Sequence, residues 1–563
     1  VTTWCLPLLA VFVTGARTCA GGVNHESWTA ADMIEGRRGW SLMRYGSFGV
    51  GAYPYRPSMP GARIRVRVDG VPLRALSPFG PDLESIPAEL VGSLSENGAR
   101  GIDITTALPE SDDLLTRTSF HLGRRQQFRF QASLQRRLNG TSGLFIGGVS
   151  SGMRGSDTIM GSGSRYYLAN YTRTLKNGSP LVIGIHGSRD RDSLGDVTAR
   201  KRMGHRETDG VALSLRLDDY HLGERTTMSP AAYYAVSKSR FRRYGFTKSL
   251  DDDAAGGSVT VETIRGDARY ALLVRHDTRF VDSRIHGDAW ARHETDVSGS
   301  FDWERDGHAA RVNGGVRISP HFGAEPYVAG DAELGILTSL KLRVSSEAGG
   351  DFPDAGDEYY PALVFGAGNG VSGLESYRYS ESEAGIEWDG GMISAGVTGY
   401  LSSGKAPFFD PVTPAMRRGE SVNRYGGRMR IASENKDRYA VAGVATYIAG
   451  NEKSDDSGRP SGGGTWPYPE VDVNISGEYV VRLVNGRLES TMFGDVRFYR
   501  WEDAVMAPSG NHTFLDLGVS VTVKTLTAFI EMENITGSEM YWFDTMEWMG
   551  RNTLWGIRWN LMN

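Results

Sequence analysis

The sequence predicts an all-β protein, a transmembrane antiparallel β-barrel of about 22 strands with a small N-terminal α+β plug in its lumen. Three observations predict this fold. Apolar and polar residues alternate along many segments after residue 114, tight turns alternate with longer polar loops, and no run of 18 apolar residues follows the N-terminal segment. Because lipid cannot hydrogen-bond an open backbone, a membrane protein without a spanning helix must close its strands into a barrel.

The alternation is most regular near the C-terminus. Leu515, Leu517, Val519, Val521 and Val523 are separated by polar residues or glycine, so this strand has one apolar and one polar face. A soluble sandwich would show the same period of two. The membrane is favoured because many of these segments run for 10 to 14 residues, whereas ordinary strands have about 5–6 residues and a strand that crosses a bilayer needs about 9–11.

Two sets of side chains also favour a bilayer. Aromatic residues stand near strand ends on the apolar faces, as in the interfacial girdles of membrane barrels: Tyr270, Phe280, Tyr439 and Tyr447. Charged residues stand in mid-strand on the polar faces, where a barrel would point them into a water-filled lumen: Arg275, Asp277, Asp516 and Glu531.

The turns give the strand number. Asn-Gly and Asp-Gly pairs are strong hairpin signals because both residues tolerate positive φ. Tight connections are predicted at Asn139-Gly140, Asn177-Gly178, Asp219-Tyr220, Gly266-Asp267, Asp306-Gly307, Leu334-Gly335, Asp389-Gly390, Lys436-Asp437, Asn485-Gly486 and Lys524-Thr525. Ten such turns join twenty strands, and one strand at each end raises the number to about 22, which is typical of plugged outer-membrane transporters.

The chain divides into three segments. Residues 1–20 contain an apolar run from Trp4 to Val13 and are predicted to be a signal peptide, although no Lys or Arg precedes that run. Both cysteines, Cys5 and Cys19, lie in this segment, so the mature chain would have no thiol chemistry. Residues 21–110 are rich in proline and are predicted to be a plug-like domain, and residues 111–563 form the transmembrane barrel.

Composition and motifs exclude several functions. The net charge of −5 gives no basic field for nucleic acid. Gly148 to Gly152 matches a nucleophile elbow by letters, but a barrel strand stands where that motif needs a strand-to-helix turn. The 11 histidines are scattered singly, and no catalytic set stands out from their spacing. An enzyme is therefore not expected.

Residues 61–73, which end in Asp69-Gly70-Val71-Pro72, resemble the plug strand and turn of the TonB-dependent receptors. The segment from Gly98 through Gly101 to residue 105 resembles the closing strand of that plug. At the other end, residues 550–561 resemble the last strand of the family. Its outward residues would be Trp555, Ile557, Trp559 and Leu561, with Leu561 where an aromatic residue is usual.

The resemblance implies both a location and partners. The location is the outer membrane of a Gram-negative-type bacterium, and the partners are its lipid and the barrel-assembly machinery, which would read the last strand. A receptor of this family takes up a scarce, small solute through its plugged lumen, driven by the TonB energy-transducing protein. The family's coupling box is not recognisable in residues 21–27. The alternative is therefore a porin-like or TonB-independent barrel with a vestigial plug.

Acidic clusters in the predicted external loops are candidates for ligand or cation contacts. One cluster with its neighbouring tyrosines comprises Asp351, Asp354, Asp357, Glu358, Tyr359 and Tyr360, and a second comprises Asp251, Asp252 and Asp253. Clustered carboxylates suit a hard cation such as calcium, although a solvated loop has the same composition. No other cofactor is expected. The sequence does not identify the solute.

Overall fold

The structure is a computed structural model, and its described residues cover most of the chain: 29–35, 40–44, 52–56, 64–73, 81–97, 101–109, 111–154, 161–196, 201–243, 246–283, 288–353, 376–405, 408–410, 415–417, 421–435, 438–451, 469–501, 510–542, 546–547 and 550–562. Predictions for residues 1–20, and for Gly98, Lys436 and Asp437, lie outside these residues.

The described residues of the N-terminal segment form one short helix and six strands. They are α1 (Ala30–Glu35), β1 (Ser41–Arg44), β2 (Ala52–Tyr55), β3 (Arg65–Val68), β4 (Val71–Pro72), β5 (Val91–Asn97) and β6 (Gly101–Thr106), with a 3-10 turn at Ala88–Leu90. Strands β1 and β2 form a hairpin, and the other four form one sheet in the order β4-β3-β6-β5. The pairing of β3 with β6 is parallel. This segment is called the plug below.

The remaining strands begin at residue 115. They are β7 (Leu115–Gly123), β8 (Phe128–Asn139), β9 (Ser142–Met153), β10 (Ser162–Thr174), β11 (Pro180–Asp196), β12 (Lys201–Leu217), β13 (Tyr220–His221), β14 (Thr226–Arg243), β15 (Phe246–Arg265), β16 (Ala268–Ser283), β17 (Asp288–Arg305), β18 (His308–Ser319), β19 (Gly323–Leu337), β20 (Leu340–Asp351), β21 (Tyr377–Asp389), β22 (Ile393–Lys405), β23 (Phe408–Asp410), β24 (Ala415–Arg417), β25 (Ser421–Asn435), β26 (Tyr439–Asn451), β27 (Val471–Leu483), β28 (Leu488–Trp501), β29 (Gly510–Val523), β30 (Leu526–Glu533), β31 (Tyr541–Trp542), β32 (Met546–Glu547) and β33 (Asn552–Met562).

Twenty-two of these strands form one closed antiparallel barrel, so the predicted fold class is confirmed. The last strand, β33, pairs with both β30 and β7 and thereby closes the ring. The two-residue strand β13 is an extra pairing beside β14, and β23-β24 and β31-β32 are small separate hairpins. Among the described residues no helix is long and apolar enough to cross a membrane.

The connections at one end of the barrel, called the turn side, have at most 8 residues, whereas those at the other end, called the loop side, reach 25 residues between β20 and β21. Eight of the predicted tight turns lie at the turn side between the expected strands. The turn predicted at Leu334-Gly335 is wrong, because both residues belong to β19. The connection to β20 is residues 338–339. The register of the pairing between β19 and β20 shifts between Gly335 and Leu337, next to the predicted turn.

The two faces of the barrel wall differ in polarity. Along β12, Leu213 and Leu215 point outward and are 50% and 45% exposed, whereas Ser214 between them points into the lumen and is 4% exposed. The predicted girdle residues Tyr270, Phe280 and Tyr447 are likewise exposed on the outside. Apolar side chains on the outside and polar side chains on the inside are what hydrocarbon and water require.

The plug has its own apolar core, and that core continues into one part of the wall. Its members from the plug include Ile34, Val66, Leu83, Leu90 and Ile104. Four wall residues, all on β9 and β10, complete the same cluster: Phe145, Val149, Tyr166 and Leu168. The plug is therefore seated against the β9–β10 wall by the burial of apolar surface, which stabilises it by about 25 cal/mol per Å².

Candidate functional site

Strand β3 is the part of the plug that faces the barrel across the lumen. Its sequence alternates, so Val66 and Val68 point into the plug core, where they are 2% and 3% exposed. Arg65, Arg67 and the following Asp69 therefore point the other way, toward the wall. All three reach a residue of opposite charge on a barrel strand.

Arg65 binds the wall nearest the loop side. Its guanidinium donates two hydrogen bonds to the carboxylate of Asp351, one of them from Nε at 3.1 Å. Asp351 is the last residue of β20 and is almost fully buried. Arg317 of β18 lies 3.5 Å from the same carboxylate. The sequence placed Asp351 in an external loop, whereas the structure places it at a strand end with its charge bound to the plug.

Arg67 binds the middle of the wall. Its Nη2 lies 2.6 Å from the carboxylate of Asp277 on β16, and its Nη1 donates to the carbonyl of Gly70 at 2.9 Å. The hydroxyl of Tyr233 on β14 donates to the same carboxylate at 2.7 Å. Burial lowers the pKa of Arg67, but Asp277 outweighs it, so the pKa is raised above its ordinary value. The charge is permanent.

Asp69 binds the barrel wall close to its turn-side end. It begins the tight turn between β3 and β4, with φ of 50° at Asp69 and 84° at Gly70. Its carboxylate accepts a hydrogen bond of 2.6 Å from Nη1 of Arg216 on β12, and others from the backbone N–H and the hydroxyl of Thr106 on β6. The Asp-Gly pair of the predicted plug motif thus joins two plug strands to the barrel.

Two further contacts fix the plug to the wall. Arg129 of β8 binds Glu89 in the 3-10 turn of the plug. Asn170 of β10 donates through its amide to the hydroxyl of Thr106 at 2.7 Å and to the carbonyl of Ala107 at 2.8 Å. Arg129, Asn170 and Thr106 are all buried. Buried charges and amides of this kind are costly unless paired, so their partners hold the plug in one orientation.

A cavity of about 290 Å³ lies between β3, β4 and the wall. We call it the outer cavity, because its wall residues lie in the middle or loop-side part of their strands. Aromatic groups from the plug and the wall meet there, including Tyr53, Tyr166 and His186, and the last two stack with ring centroids 6.1 Å apart. The volume is at the lower end of small-molecule sites.

Charges of both signs also line the outer cavity. Asp252 accepts hydrogen bonds from Nε and Nη2 of Arg279 at 2.9 and 2.6 Å, and Arg292 pairs with Glu294. The sequence placed residues 251–253 in an external loop. That prediction is wrong, because they lie within the 20-residue strand β15, where Asp252 faces the lumen and is 4% exposed.

The remaining predicted residues fall into three groups. Val71 and Pro72 form β4, and Gly101 begins β6, opposite Arg65. Trp555, Ile557 and Trp559 are each nearly half exposed on the outside of β33, and Leu561 of the same strand is half-buried. Gly98 and the loop residues Asp354, Asp357, Glu358, Tyr359 and Tyr360 lie outside the described residues. The loop contacts and the calcium site therefore stay predictions.

Sequence reasoning missed the wall partners of the plug, chiefly Arg216, Asn170 and Arg129. Each stands on a strand with alternating polarity, where it looks like any other lumen residue. One local signal was present on the plug side. A strand with valines on one face and alternating charges on the other must meet charged groups across a lumen.

Comparison with protein-family models finds no match, and no curated protein matches the sequence. Solved structures do match. The FrpB iron transporter of Neisseria meningitidis (F5-1 variant) has a TM-score of 0.76 at 11% identity, covering 95% of this chain and 98% of that one. The copper transporter OprC has a TM-score of 0.75 at 12% identity, covering 95% of this chain and 96% of that one.

The ferric enterobactin receptor PfeA of Pseudomonas aeruginosa has a TM-score of 0.73 at 13% identity, covering 96% of this chain and 98% of that one. All three proteins are TonB-dependent receptors. At such low identity the likeness shows the fold. The chain therefore has the plugged, 22-strand fold of the TonB-dependent receptors, as the resemblance predicted.

Proposed function

We propose that this chain is an outer-membrane transporter of the TonB-dependent receptor type, which takes up a scarce solute through its plugged barrel. One observation carries the proposal. A four-stranded plug sheet stands inside a closed barrel, and three oppositely charged pairs from a single plug strand hold it there. A barrel that served only as an open pore or a scaffold would need no such pairing.

The proposal assigns an orientation and a binding site. Short turns face the periplasm and long loops face the medium in outer-membrane barrels. The outer cavity then opens toward the medium, and its floor is the β3–β4 hairpin. A solute held there would touch Tyr53 from the plug and Tyr166 from the wall. Binding could thus be sensed by the plug, because the same hairpin carries Arg67 and Asp69.

The class of solute is proposed from the structural neighbours. Their names describe an iron transporter, a copper transporter and a ferric enterobactin receptor. A metal ion or metal chelate is therefore the first class to test. Coupling to TonB is proposed on the same basis, as is contact with outer-membrane lipid and with the barrel-assembly machinery.

The test is accumulation of radioactive iron, given as ferric citrate, and of radioactive copper by cells that express the chain. Expression should raise accumulation of one metal several-fold above the empty vector. Arg279→Ala should reduce it by removing the partner of Asp252 in the outer cavity. The matched control is Arg311→Ala, because Arg311 lies in the lumen away from that cavity. Accumulation at the vector level for both metals would contradict the proposal.

Coupling is tested separately, in a strain that lacks the TonB protein. Accumulation that falls to the vector level there supports coupling. Accumulation that persists would support the alternative, a TonB-independent barrel. Photocrosslinking from residues of the turn side of the plug gives a direct readout of contact with TonB.

A further inference from the structure

The exterior of the barrel changes from apolar to charged on the loop side of four neighbouring strands, β10, β11, β12 and β14. On β11 the outward residues Ile183 and Ile185 are 39% and 48% exposed. After Gly187, the next two outward residues toward the loop side are Arg189 and Arg191, because side chains alternate along a strand. The apolar belt of β11 therefore ends between Ile185 and Arg189.

Strand β14 shows the same boundary. Its outward residues Tyr234 and Val236 are exposed apolar groups, and the next outward residues toward the loop side are Lys238, Arg240 and Arg242. We call the outward cations beyond this boundary the basic patch. Its members are Arg165, Arg189, Arg191, Lys238, Arg240 and Arg242.

The basic patch contains more positive charge than the carboxylates among its members can neutralise. Glu207 and Asp209 of β12 are the outward acidic residues described on these four strands. Asp209 lies 3.3 Å from Nε of Arg189, and Glu207 lies 3.7 Å from Nε of Arg191. Each of these carboxylates therefore neutralises one arginine of β11.

The other four cations have one carboxylate between them. Lys238 pairs at 2.8 Å with Asp251 of the next strand, β15. Among the described residues, no carboxylate forms an ion pair with Arg165, Arg240 or Arg242. Three guanidinium groups on the outer surface are thus available to an anion from outside the chain.

Two of the arginines also face each other. Arg165 of β10 and Arg189 of β11 are direct partners in the antiparallel pairing. Side chains in such a pair have Cβ atoms about 4.5–5.5 Å apart, and like charges placed there are destabilising. An anion between the two guanidinium groups would remove that repulsion by accepting hydrogen bonds from both. This pair is therefore the part of the patch best suited to hold a phosphate.

We propose that the basic patch binds phosphate-bearing lipid head groups of the leaflet on the loop side, with Arg165 and Arg189 holding one phosphate between them. Head groups lie just beyond the aromatic girdle of a membrane barrel, and the patch begins just beyond Tyr167 and Tyr234, which are 55% and 51% exposed. Guanidinium groups match the geometry of phosphate. The acyl chains of the same lipid would lie on the apolar belt beside Ile185.

The basic patch is a local site rather than a continuous ring around the barrel. On β18 and β19 the outward residues near the loop side are uncharged: Val316, Ile318, Ala324 and Pro326. Electrostatic attraction to lipid phosphates therefore favours one side of the molecule. The inference depends on the membrane barrel, and it requires neither transport nor energy coupling.

The test is native mass spectrometry of the full chain, purified in a non-ionic detergent and mixed with lipid A, whose head group carries phosphates. Arg165→Ala with Arg189→Ala should bind several-fold less lipid A than the unaltered chain. The matched control is Arg136→Ala with Arg173→Ala, which removes two exposed outward arginines near the turn-side ends of β8 and β10 and should leave binding unchanged. Equal binding by all three proteins, or equal loss in both double variants, would overturn the proposal.

Two further probes identify the group that is bound. Lipid A from which the phosphates have been removed should bind several-fold less than lipid A, and equal binding of the two lipids would overturn the role of phosphate. Inorganic phosphate at the concentration of lipid A should displace little of it. Full displacement would mean a site for small anions and would overturn the assignment to lipid.

A substitution of opposite sign completes the test. Asp209→Asn removes a carboxylate from the patch and releases Arg189, so bound lipid A should increase, and a decrease would contradict the proposal. The heat-dependent shift in gel mobility shows that each variant compared is a folded barrel. Metal accumulation in cells fails or succeeds independently of lipid binding.

Discussion

At the scale of single residues, the plug is joined to the barrel by charges that are remote in sequence. Asp69 and Arg216 are 147 residues apart, and Arg67 and Asp277 are 210 apart. The plug members could be found from the sequence, because the alternation of Arg65 to Asp69 is local and Asp69-Gly70 resembles a known turn. Their partners on the barrel wall could not be found, since the sequence around a lumen arginine does not indicate which residue it faces.

Removing Arg67 should loosen the plug. Arg67→Ala leaves the carboxylate of Asp277 without its main partner at a site where its side chain is 19% exposed, and breaking a buried pair costs about 3–5 kcal/mol. Hydrogen exchange of the β3 amides should therefore accelerate strongly. The double variant Arg67→Ala with Asp277→Ala should lose less protection than the single one.

The control for that experiment is Arg56→Ala. Its partner Glu96 is 33% exposed, and exposed pairs contribute about 0–1 kcal/mol, so exchange in β3 should barely change. Equal acceleration in Arg56→Ala and Arg67→Ala would show that the pair across the lumen has no special role.

Gly70→Ala tests the turn of the plug motif. Gly70 has a φ of +84°, and no atom would lie within 4 Å of an added Cβ. The cost is therefore one of backbone conformation, about 1–2 kcal/mol, and Gly70→Asn should cost less because asparagine tolerates this region. The backbone N–H of Leu73 donates a hydrogen bond to the carbonyl of Val66 across this turn. The rate of hydrogen exchange at the Leu73 amide therefore measures the loss of stability. Identical exchange in all three proteins would contradict this view of the turn.

At the scale of elements, the strands and turns could largely be predicted because their signals are local. The errors have physical causes. Leu334-Gly335 was mistaken for a turn because glycine breaks the pattern there, whereas the true connection, Thr338 and Ser339, has neither glycine nor asparagine. The carboxylates at 251–253 were mistaken for a loop because β15 extends for 20 residues, about twice what a bilayer requires.

The hairpin between β27 and β28 contains a strained residue. Val484 has a φ of 52° and is 69% exposed, and a β-branched residue is costly in this region. Val484→Asn removes that strain without removing a buried contact, so it should stabilise the barrel by about 1 kcal/mol. Slower unfolding in guanidinium chloride would show it. Val523→Asn, also exposed but within a strand, should give no such gain.

A substitution in β33 tests whether the apolar exterior of the barrel lies in hydrocarbon. Ile557 lies at its middle and is 47% exposed, so Ile557→Arg places a charge in the hydrocarbon core, which costs about 2–4 kcal/mol. Folding into lipid vesicles, followed by the heat-dependent shift in gel mobility, should be impaired. Leu526→Arg, at the turn-side end of β30, should have a small effect because the cost falls to about 0–1 kcal/mol at the interface. Equal folding of both would argue against a surrounding bilayer.

At the scale of the whole molecule, counting turns was enough to obtain a ring of 22 strands. Each turn is a local feature, and an antiparallel sheet adds one strand per turn. The position of the plug within the ring could not be counted in this way, because it depends on which wall residues complete its apolar core. The seat of the plug core on β9 and β10 emerged only from the structure.

The unequal strand lengths have a consequence for the surrounding lipid. Strands β14 and β15 have 18 and 20 residues, whereas β30 has 8. At about 3.3 Å per residue and a tilt near 40°, β30 covers roughly 20 Å along the membrane normal, less than the apolar band of about 25 Å that is typical of outer-membrane barrels. Acyl chains beside β30 must shorten to match it, so the molecule will prefer thin patches of membrane and will draw together neighbours with equally short walls.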